Sequence, residues 1–179
     1  IYYPTTTNNG SPEGLKLPSP DQVIQTYVRS HGWDKENYRW TFINKINRDE
    51  DDYQPMIDFA RFFGTTGTYF YDNLEQYVDV DQFLRSFALA GLFGAGDSYT
   101  AGGYNHNAYF YIRPEDGKAL HFPHDQDGFW DAYRSLFANS DLQKITAMPE
   151  YKRLYYGHIH DICATTYNQA YMSYWTNHY

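Results

Sequence analysis

The sequence predicts an α+β fold that is mainly α-helical and contains one short β-hairpin. Apolar residues recur at helical spacing in several segments, which is the pattern of amphipathic helices. A single Pro-Glu-Asp-Gly turn at residues 114–117 separates two short segments that are rich in strand-forming residues. The chain has 179 residues, of which 42% are hydrophobic and 20% charged, so it has the size and composition of one ordinary globular domain.

The first third of the chain is predicted to hold an arm followed by three helices. Residues 1–20 are rich in Pro, Gly, Thr and Asn and carry no helical or strand period, so they predict a linker or lead-in arm. One helix, capped by Ser19 or Asp21, is predicted to run to the stop at Gly32, and a second short helix is predicted over residues 38–46. After a polar loop, a strong apolar face over residues 56–63 predicts the third.

The most strongly predicted helix leads into a glycine-containing loop. A short helix over residues 72–78 comes first, and Asp79 or Asp81 then caps a helix with a continuous apolar face. This helix is predicted to end at Gly94, so that Asp97 follows the end of a rigid element. Reactive side chains are often held in loops of this kind.

The hairpin and the last helices complete the predicted fold. The strands are predicted over residues 107–113 and 118–123, because Pro and Gly of the intervening turn supply the dihedral angles that a tight turn needs. A helix is then predicted from Trp130 to Phe137. A long helix should begin near Pro149 and run toward residue 175.

The composition excludes several classes of protein. The net charge of −8 argues against a surface that binds duplex nucleic acid through phosphate contacts. The single cysteine, Cys163, excludes an internal disulfide and is predicted to pack as a small hydrophobic side chain. The longest apolar run, residues 87–96, is roughly half of what a bilayer span requires. We therefore expect neither a nucleic-acid partner nor a membrane span.

Four polar residues stand where the predicted elements begin or end. Asp97 follows the strongest helix, Asn107 begins the first strand, and Asp125 and Asp127 follow the second strand. Carboxylate and amide oxygens are the ligands that Mg²⁺ takes together with substrate phosphates. Asp97 alone is more typical of a turn, and Asn107 alone is a weak signal. The pair of Asp125 and Asp127 fits an acidic turn and a metal site equally well. Their order is more informative, because protein kinases use an Asp, an Asn and, after a hairpin, a second Asp in these roles.

Five segments together resemble the CotH family, the spore-coat-protein-H-like atypical kinases. They are Asp79–Arg85 (Asp-Val-Asp-Gln-Phe-Leu-Arg), Asp97–Tyr99 (Asp-Ser-Tyr), His106–Tyr111 (His-Asn-Ala-Tyr-Phe-Tyr), Phe122–Asp127 (Phe-Pro-His-Asp-Gln-Asp) and Pro149–Tyr155 (Pro-Glu-Tyr-Lys-Arg-Leu-Tyr). The resemblance covers about residues 50–179. One departure is His124, which stands where the family pattern has Trp.

The resemblance implies a protein-kinase-like C-terminal lobe over residues 21–179, in which the hairpin carries the metal-site loop. It implies that Asp97 is the catalytic-loop aspartate. Asn107 and Asp125 would bind the cofactor and the metal, and Asp127 would assist as a further metal ligand. ATP and Mg²⁺ would be the cofactors, and Ser or Thr of partner proteins the acceptors. It also implies an extracellular or cell-surface location.

The sequence shows no counterpart of a kinase N-terminal lobe. We find no strand-borne Lys with a partner Glu, and no Gly-rich phosphate cover ahead of a strand. We therefore expect that the N-terminal lobe is not in this chain. A chain of this kind would act as a protein serine/threonine kinase only when joined to that lobe, because phosphoryl transfer depends on positioning by both lobes.

The sequence leaves a non-catalytic function and a zinc site to be considered. The same fold could serve as a non-catalytic surface, adhesion or scaffold module, and the Tyr- and Trp-rich stretch over residues 151–179 could then contact carbohydrate.

A zinc site would draw on the histidines, with His121, His124 and Asp125 near one another in sequence and His158 and His160 further on. The spacing disfavours this site. The first two histidines fall on opposite faces of a strand, and the last two do not share a helix face.

Overall fold

The computed structural model describes residues 44–101, 107–127 and 131–178. Within these ranges the chain forms six α-helices and one two-stranded antiparallel sheet, which confirms the mainly helical α+β class. The elements are α1 (Gln54–Phe63), α2 (Thr68–Tyr77), α3 (Val80–Phe93), β1 (Ala108–Ile112), β2 (Ala119–Pro123), α4 (Ser140–Thr146), α5 (Pro149–Thr165) and α6 (Gln169–Thr176). Single 3-10 turns occur at Arg48–Glu50 and Tyr99–Ala101. The predicted arm over residues 1–20 and the predicted helix from Asp21 lie outside the described residues.

Helix α3 is the central element, and its two ends follow the sequence prediction. Its N-cap is Asp79, whose Oδ1 accepts a hydrogen bond of 3.2 Å from the amide of Gln82. It ends at Gly94, which has a left-handed φ of 64°. A Cβ at this position would lie 2.3 Å from the backbone oxygen of Asp131, so both the conformation and the close approach require glycine.

The hydrophobic core lies where α3 packs against α5 and β2. Phe83, Leu84 and Phe87 of α3 are almost completely buried, and burial of such side chains stabilises the fold by about 1.5–3 kcal/mol each. Gly91 faces α5, and a Cβ there would be in ordinary van der Waals contact, 3.4 Å, with the hydroxyl of Tyr155. That hydroxyl donates a hydrogen bond of 2.6 Å to the backbone oxygen of residue 136.

Helices α1 and α2 form an aromatic layer beside this core. The ring of Phe62 stacks on Tyr77 at a centroid distance of 4.2 Å and on Phe70 at 5.1 Å. Lys144 of α4 closes the C-terminal end of α1, since its ammonium donates to the backbone oxygen of Phe63. The same ammonium lies 4.0 Å from the centre of the Phe70 ring, a cation–π contact.

The hairpin has a regular antiparallel register from Ala108 opposite Pro123 to Ile112 opposite Ala119. One face is buried against α3, and the other exposes a row of aromatic side chains. This exposed row consists of Tyr109, Tyr111 and Phe122. Within the part of the chain that the structure describes, no helix has the length and apolar character needed to cross a membrane.

The prediction of a helix from Trp130 to Phe137 is wrong, because the described residues 131–137 form turns. The carboxylate of Asp131 accepts a hydrogen bond from the amide of Tyr133, and the hydroxyl of Ser135 accepts one from the amide of Phe137. Asp and Ser compete with the helix by capturing nearby amides in this way. The close contact with the end of α3 also holds this segment in place.

The single long helix predicted from Pro149 toward Trp175 is two helices, α5 and α6. Thr166 ends α5, and Asn168 begins α6 by accepting a hydrogen bond of 3.0 Å from the amide of Tyr171. Asn is a strong N-cap residue, so the sequence carried a signal for this break.

Two smaller differences concern the first helices. The helix predicted over residues 72–78 begins earlier, at Thr68, directly after a glycine with a left-handed φ. Residues 44–46 of the helix predicted over 38–46 are not helical, and the rest of that segment lies outside the described residues.

Candidate functional site

The open end of the hairpin brings three of the predicted site residues to neighbouring positions. The side-chain amide of Asn107 donates a hydrogen bond of 2.6 Å to the backbone oxygen of Asp97. The backbone oxygen of Asn107 in turn accepts a hydrogen bond of 3.1 Å from the amide of His124. Asp125 is the next residue. Two hydrogen bonds therefore join the loop after α3, the start of β1 and the exit of β2.

Two of these residues have an uncommon backbone conformation. Asn107 has a φ of 59° and Asp125 a φ of 51°, both in the left-handed region. Asn and Asp tolerate this region better than other non-glycine residues, although it still costs them about 1 kcal/mol or more. Such residues are found where the surrounding structure holds them and are frequent at functional sites.

The donor atoms at this end have the chemistry that Mg²⁺ prefers. Asp125 and Asp127 are exposed, and Asp97 and Asn107 are half-buried. Because the amide nitrogen of Asn107 is bound to Asp97, its side-chain oxygen is the atom left for a cation. Within residues 44–101, 107–127 and 131–178, no three His, Cys, Asp or Glu side chains converge as a metal cage. Mg²⁺ commonly uses one or two carboxylates together with waters and phosphates, so the oxygen donors present fit it.

The loop that holds Asp97 is anchored to the start of α4. The side-chain amide of Asn139 donates a hydrogen bond of 2.8 Å to the backbone oxygen of Tyr99, and the Tyr99 hydroxyl donates one of 2.8 Å to Asp141. All three side chains are buried. Sequence reasoning missed Asn139 and Asp141, and the only available signal was their position as a helix N-terminus.

The histidines considered for zinc have different surroundings. His121 is fully buried among aromatic rings, and this burial lowers its pKa to about 3. His124 is exposed, with its ring 4.4 Å from that of Tyr109. His158 is buried, with its Nε2 3.0 Å from the carboxylate of Asp81, an ion pair when the histidine is protonated.

The fold and the site together define a mainly helical protein. The loop of Asp97, Asn107 and the segment from Asp125 to Asp127 lie at one end of its hairpin. The family model described as CotH kinase protein matches residues 6–179. The chain therefore belongs to the CotH kinase family, as its motifs indicate. The match begins within the segment predicted to be the lead-in arm. No curated protein and no solved structure matches the chain.

Proposed function

We propose that this chain carries the catalytic loop and the metal-site loop of a protein serine/threonine kinase that uses ATP and Mg²⁺. Membership of the CotH kinase family supports the proposal. The observation that carries it is the pair of hydrogen bonds that joins Asp97, Asn107 and His124, because it brings the Asp, the Asn and the exiting Asp segment to one place.

Each residue has a distinct role in this proposal. Phosphoryl transfer asks a protein mainly to position the reactants and to stabilise charge. The carboxylate of Asp97 orients the acceptor hydroxyl and takes its proton as the new oxygen–phosphorus bond forms and the bond to ADP breaks. The side-chain oxygen of Asn107 and the carboxylates of Asp125 and Asp127 would hold Mg²⁺, which, when bound, neutralises the phosphate oxygens.

The charge of the chain agrees with a requirement for a cation. The net charge is −8, and within the described residues no Lys or Arg pairs with Asp125 or Asp127. A polyphosphate would be repelled from this end of the hairpin without a divalent cation between the two sets of negative charge.

The proposal extends to the partners and location of the protein. Residues 21–179 form the C-terminal lobe, and a separate N-terminal lobe covers the nucleotide. The acceptors are Ser or Thr hydroxyls of partner proteins, at the cell surface or outside the cell. This location follows from the association of the family with the spore coat.

A second candidate is a non-catalytic adhesion or scaffold module. The observation that favours it is a group of exposed aromatic side chains on and before α6, with exposed fractions between 37% and 66%. They are Tyr167, Tyr171, Tyr174 and Trp175. Flat exposed rings of this kind can stack on sugars, so a glycan array with Trp175→Ala as the comparison tests this candidate.

Nucleotide binding separates the two candidates. In the full-length protein we expect calorimetry to show ATP binding that requires Mg²⁺, and Asp125→Asn to weaken it by about 10-fold or more. Asp116→Asn is the matched control, because this aspartate lies in the turn at the far end of the same hairpin. If Asp125→Asn and Asp116→Asn bind nucleotide alike, the metal-site assignment is wrong.

A further inference from the structure

A side chain satisfies the backbone hydrogen-bonding groups at the outer edge of β2. The hydrogen bonds between residues 107 and 124 and between 113 and 118 fix the alternation of the ladder, so the backbone of His121 points away from β1. The side chain of Gln82 meets it there. Its Oε1 accepts a hydrogen bond of 3.0 Å from the His121 amide, and its Nε2 donates one of 2.7 Å to the His121 oxygen.

The backbone groups on either side of His121 along this edge also need no partner from a further strand. The backbone oxygen of Ala119 accepts a hydrogen bond of 3.1 Å from the amide of Asp79. Pro123 has no amide hydrogen to donate. Residues 78–79, which form a parallel bridge with Ala119, and the first turn of α3 therefore take the place of a third strand. Gln82 is the residue of α3 that makes a complete pair of strand-like hydrogen bonds.

The ring of His121 is held by a second contact from the same helix. Its Nδ1 lies 2.7 Å from the hydroxyl oxygen of Ser86. That hydroxyl has a single hydrogen, which it donates to the backbone oxygen of Phe83 at 2.8 Å. We assign the hydrogen of the Ser86–His121 contact to Nδ1 of the neutral ring, because the hydroxyl hydrogen is used at Phe83. Its Nε2 is buried and has no hydrogen-bond partner within the described residues.

The same ring contacts every element that supplies a candidate site residue. Its centroid lies 5.2 Å from that of Phe87 on α3, 5.2 Å from Tyr99 in the loop after Asp97, and 5.6 Å from Phe110 on β1. His121 itself lies on β2, four residues before Asp125. A displacement of this ring would therefore move the loop of Asp97 and the exit of β2 relative to each other.

We infer that Gln82, Ser86 and His121 are positioning residues that hold the exit of β2, and with it Asp125, against the loop of Asp97. The role of this arrangement in metal and nucleotide binding rests on the proposed function. The positioning itself can be measured without nucleotide, so the two statements fail independently.

The test compares Gln82→Leu with Leu74→Ala in the full-length protein. Gln82→Leu removes both strand-like hydrogen bonds, whereas Leu74→Ala removes a buried side chain of α2 and controls for loss of stability. We expect Gln82→Leu to shift the NMR signals of the amides of residues 124–127 and to speed hydrogen exchange at His124 by about 10-fold relative to the control. Half-saturation of Mg²⁺-dependent ADP binding should then need several-fold more Mg²⁺.

A milder variant keeps the test decisive where Gln82→Leu does not fold. Gln82→Glu retains the acceptor for the His121 amide and loses the donor, so its effects on the same amides should be intermediate. Equal responses of these amides in the Gln82 variants and in Leu74→Ala would overturn the inference. If the amides respond as expected and the wild-type protein binds no Mg²⁺–ADP, the positioning stands and the proposed function fails.

The imidazole provides an independent signature. In the wild-type protein, ¹⁵N NMR should show a neutral His121 with its hydrogen on Nδ1, and Ser86→Ala should abolish this preference. A hydrogen on Nε2 in the wild-type protein would show that Ser86 does not hold the ring in the way that the geometry indicates.

Discussion

Both ends of the hairpin carry aspartates, but within the described residues those at one end are paired with a basic side chain and those at the other are not. At the turn, the guanidinium of Arg113 bonds Asp116 at 2.6 Å and Asp79 at 3.2 Å. The hydrogen bond from Arg113 is the largest cause that lowers the pKa of Asp116, to about 2. At the open end, Asp125 and Asp127 are exposed and have no basic partner within the described residues.

This difference shows how a structural carboxylate can be told from one that is available to a ligand. The turn is a closed arrangement, in which Arg113 pairs with Asp116 and Asp79 and a glycine takes the left-handed position. The open end keeps unmatched carboxylates and places an Asn and an Asp in left-handed conformations. A protein that needed only stability would match these charges and place glycine there.

The largest expected effect is on activity at the open end. Asp97→Asn should lower kcat for phosphoryl transfer by about 10²–10⁴-fold, because it removes the group that accepts the proton of the acceptor hydroxyl. Asp116→Asn, at the turn, should leave kcat within about twofold. Radiolabelled phosphate transfer by the full-length protein measures both. A kcat for Asp97→Asn close to that of the wild type would contradict the catalytic assignment.

The next effect concerns His121, which lies between the two ends. Its pKa is about 3 in the folded protein because of burial and about 6.5 when exposed. Between these values the unfolded chain binds more protons, so the free energy of unfolding decreases as the pH falls from 6.5 toward 3. The decrease has an upper bound on the order of 5 kcal/mol.

Urea unfolding between pH 7 and pH 4 measures this dependence. His121→Asn removes the titrating group and keeps a donor for Ser86, so its stability should change less steeply with pH than that of the wild type. Parallel pH profiles for the two proteins would show that His121 does not carry the dependence.

A third prediction separates stability from function at the open end. Asp125→Gly removes the penalty of a side chain in the left-handed region, so it should leave the free energy of unfolding unchanged or raise it by up to about 1 kcal/mol. It should also abolish Mg²⁺-dependent nucleotide binding.

Gly117→Ala at the turn should do the reverse. Its φ is 71°, so the substitution should lower the free energy of unfolding by about 1 kcal/mol and leave nucleotide binding intact. Thermal unfolding and calorimetry check the pair. Loss of stability in Asp125→Gly would mean that the carboxylate has a structural role.

The smallest effect is expected from the ion pair at the turn. Its stabilisation is present above pH 3.8 and is lost as the pH falls through about 2, because Asp116 is then protonated. The pair is solvent-exposed, so Asp116→Asn should shift the Tm only slightly, and added salt should reduce the shift further. A large, salt-independent shift would contradict the view of the turn as a surface arrangement.

The sequence predicted those parts of the fold that depend on local signals. Apolar periodicity, the Asp79 cap and the stop at Gly94 predicted α3, and the Pro-Glu-Asp-Gly turn predicted the hairpin. The helix from Trp130 was predicted wrongly because the conformation of residues 131–137 depends on a contact between Asp131 and the end of α3. The local spacing of apolar residues does not reveal this contact.

The candidate site was also predictable only where the signal is local. The order of Asp97, Asn107 and Asp125 is visible along the chain, and their roles remain predictions. The residues that hold them were not predictable, because Gln82 and Ser86 reach His121 across 39 and 35 positions of sequence. Hydrogen bonds over such separations leave no period and no motif.

The closure of β2 by Gln82 has a consequence for mutational tolerance. A strand paired through backbone groups accepts many side chains at the paired position, because every residue except proline brings the same donor and acceptor. An edge that is paired through one side-chain amide depends on the residue type at that single position. In a saturation library, position 82 should therefore accept very few substitutions although it is only half-buried, and the exposed Arg85 of the same helix should accept many.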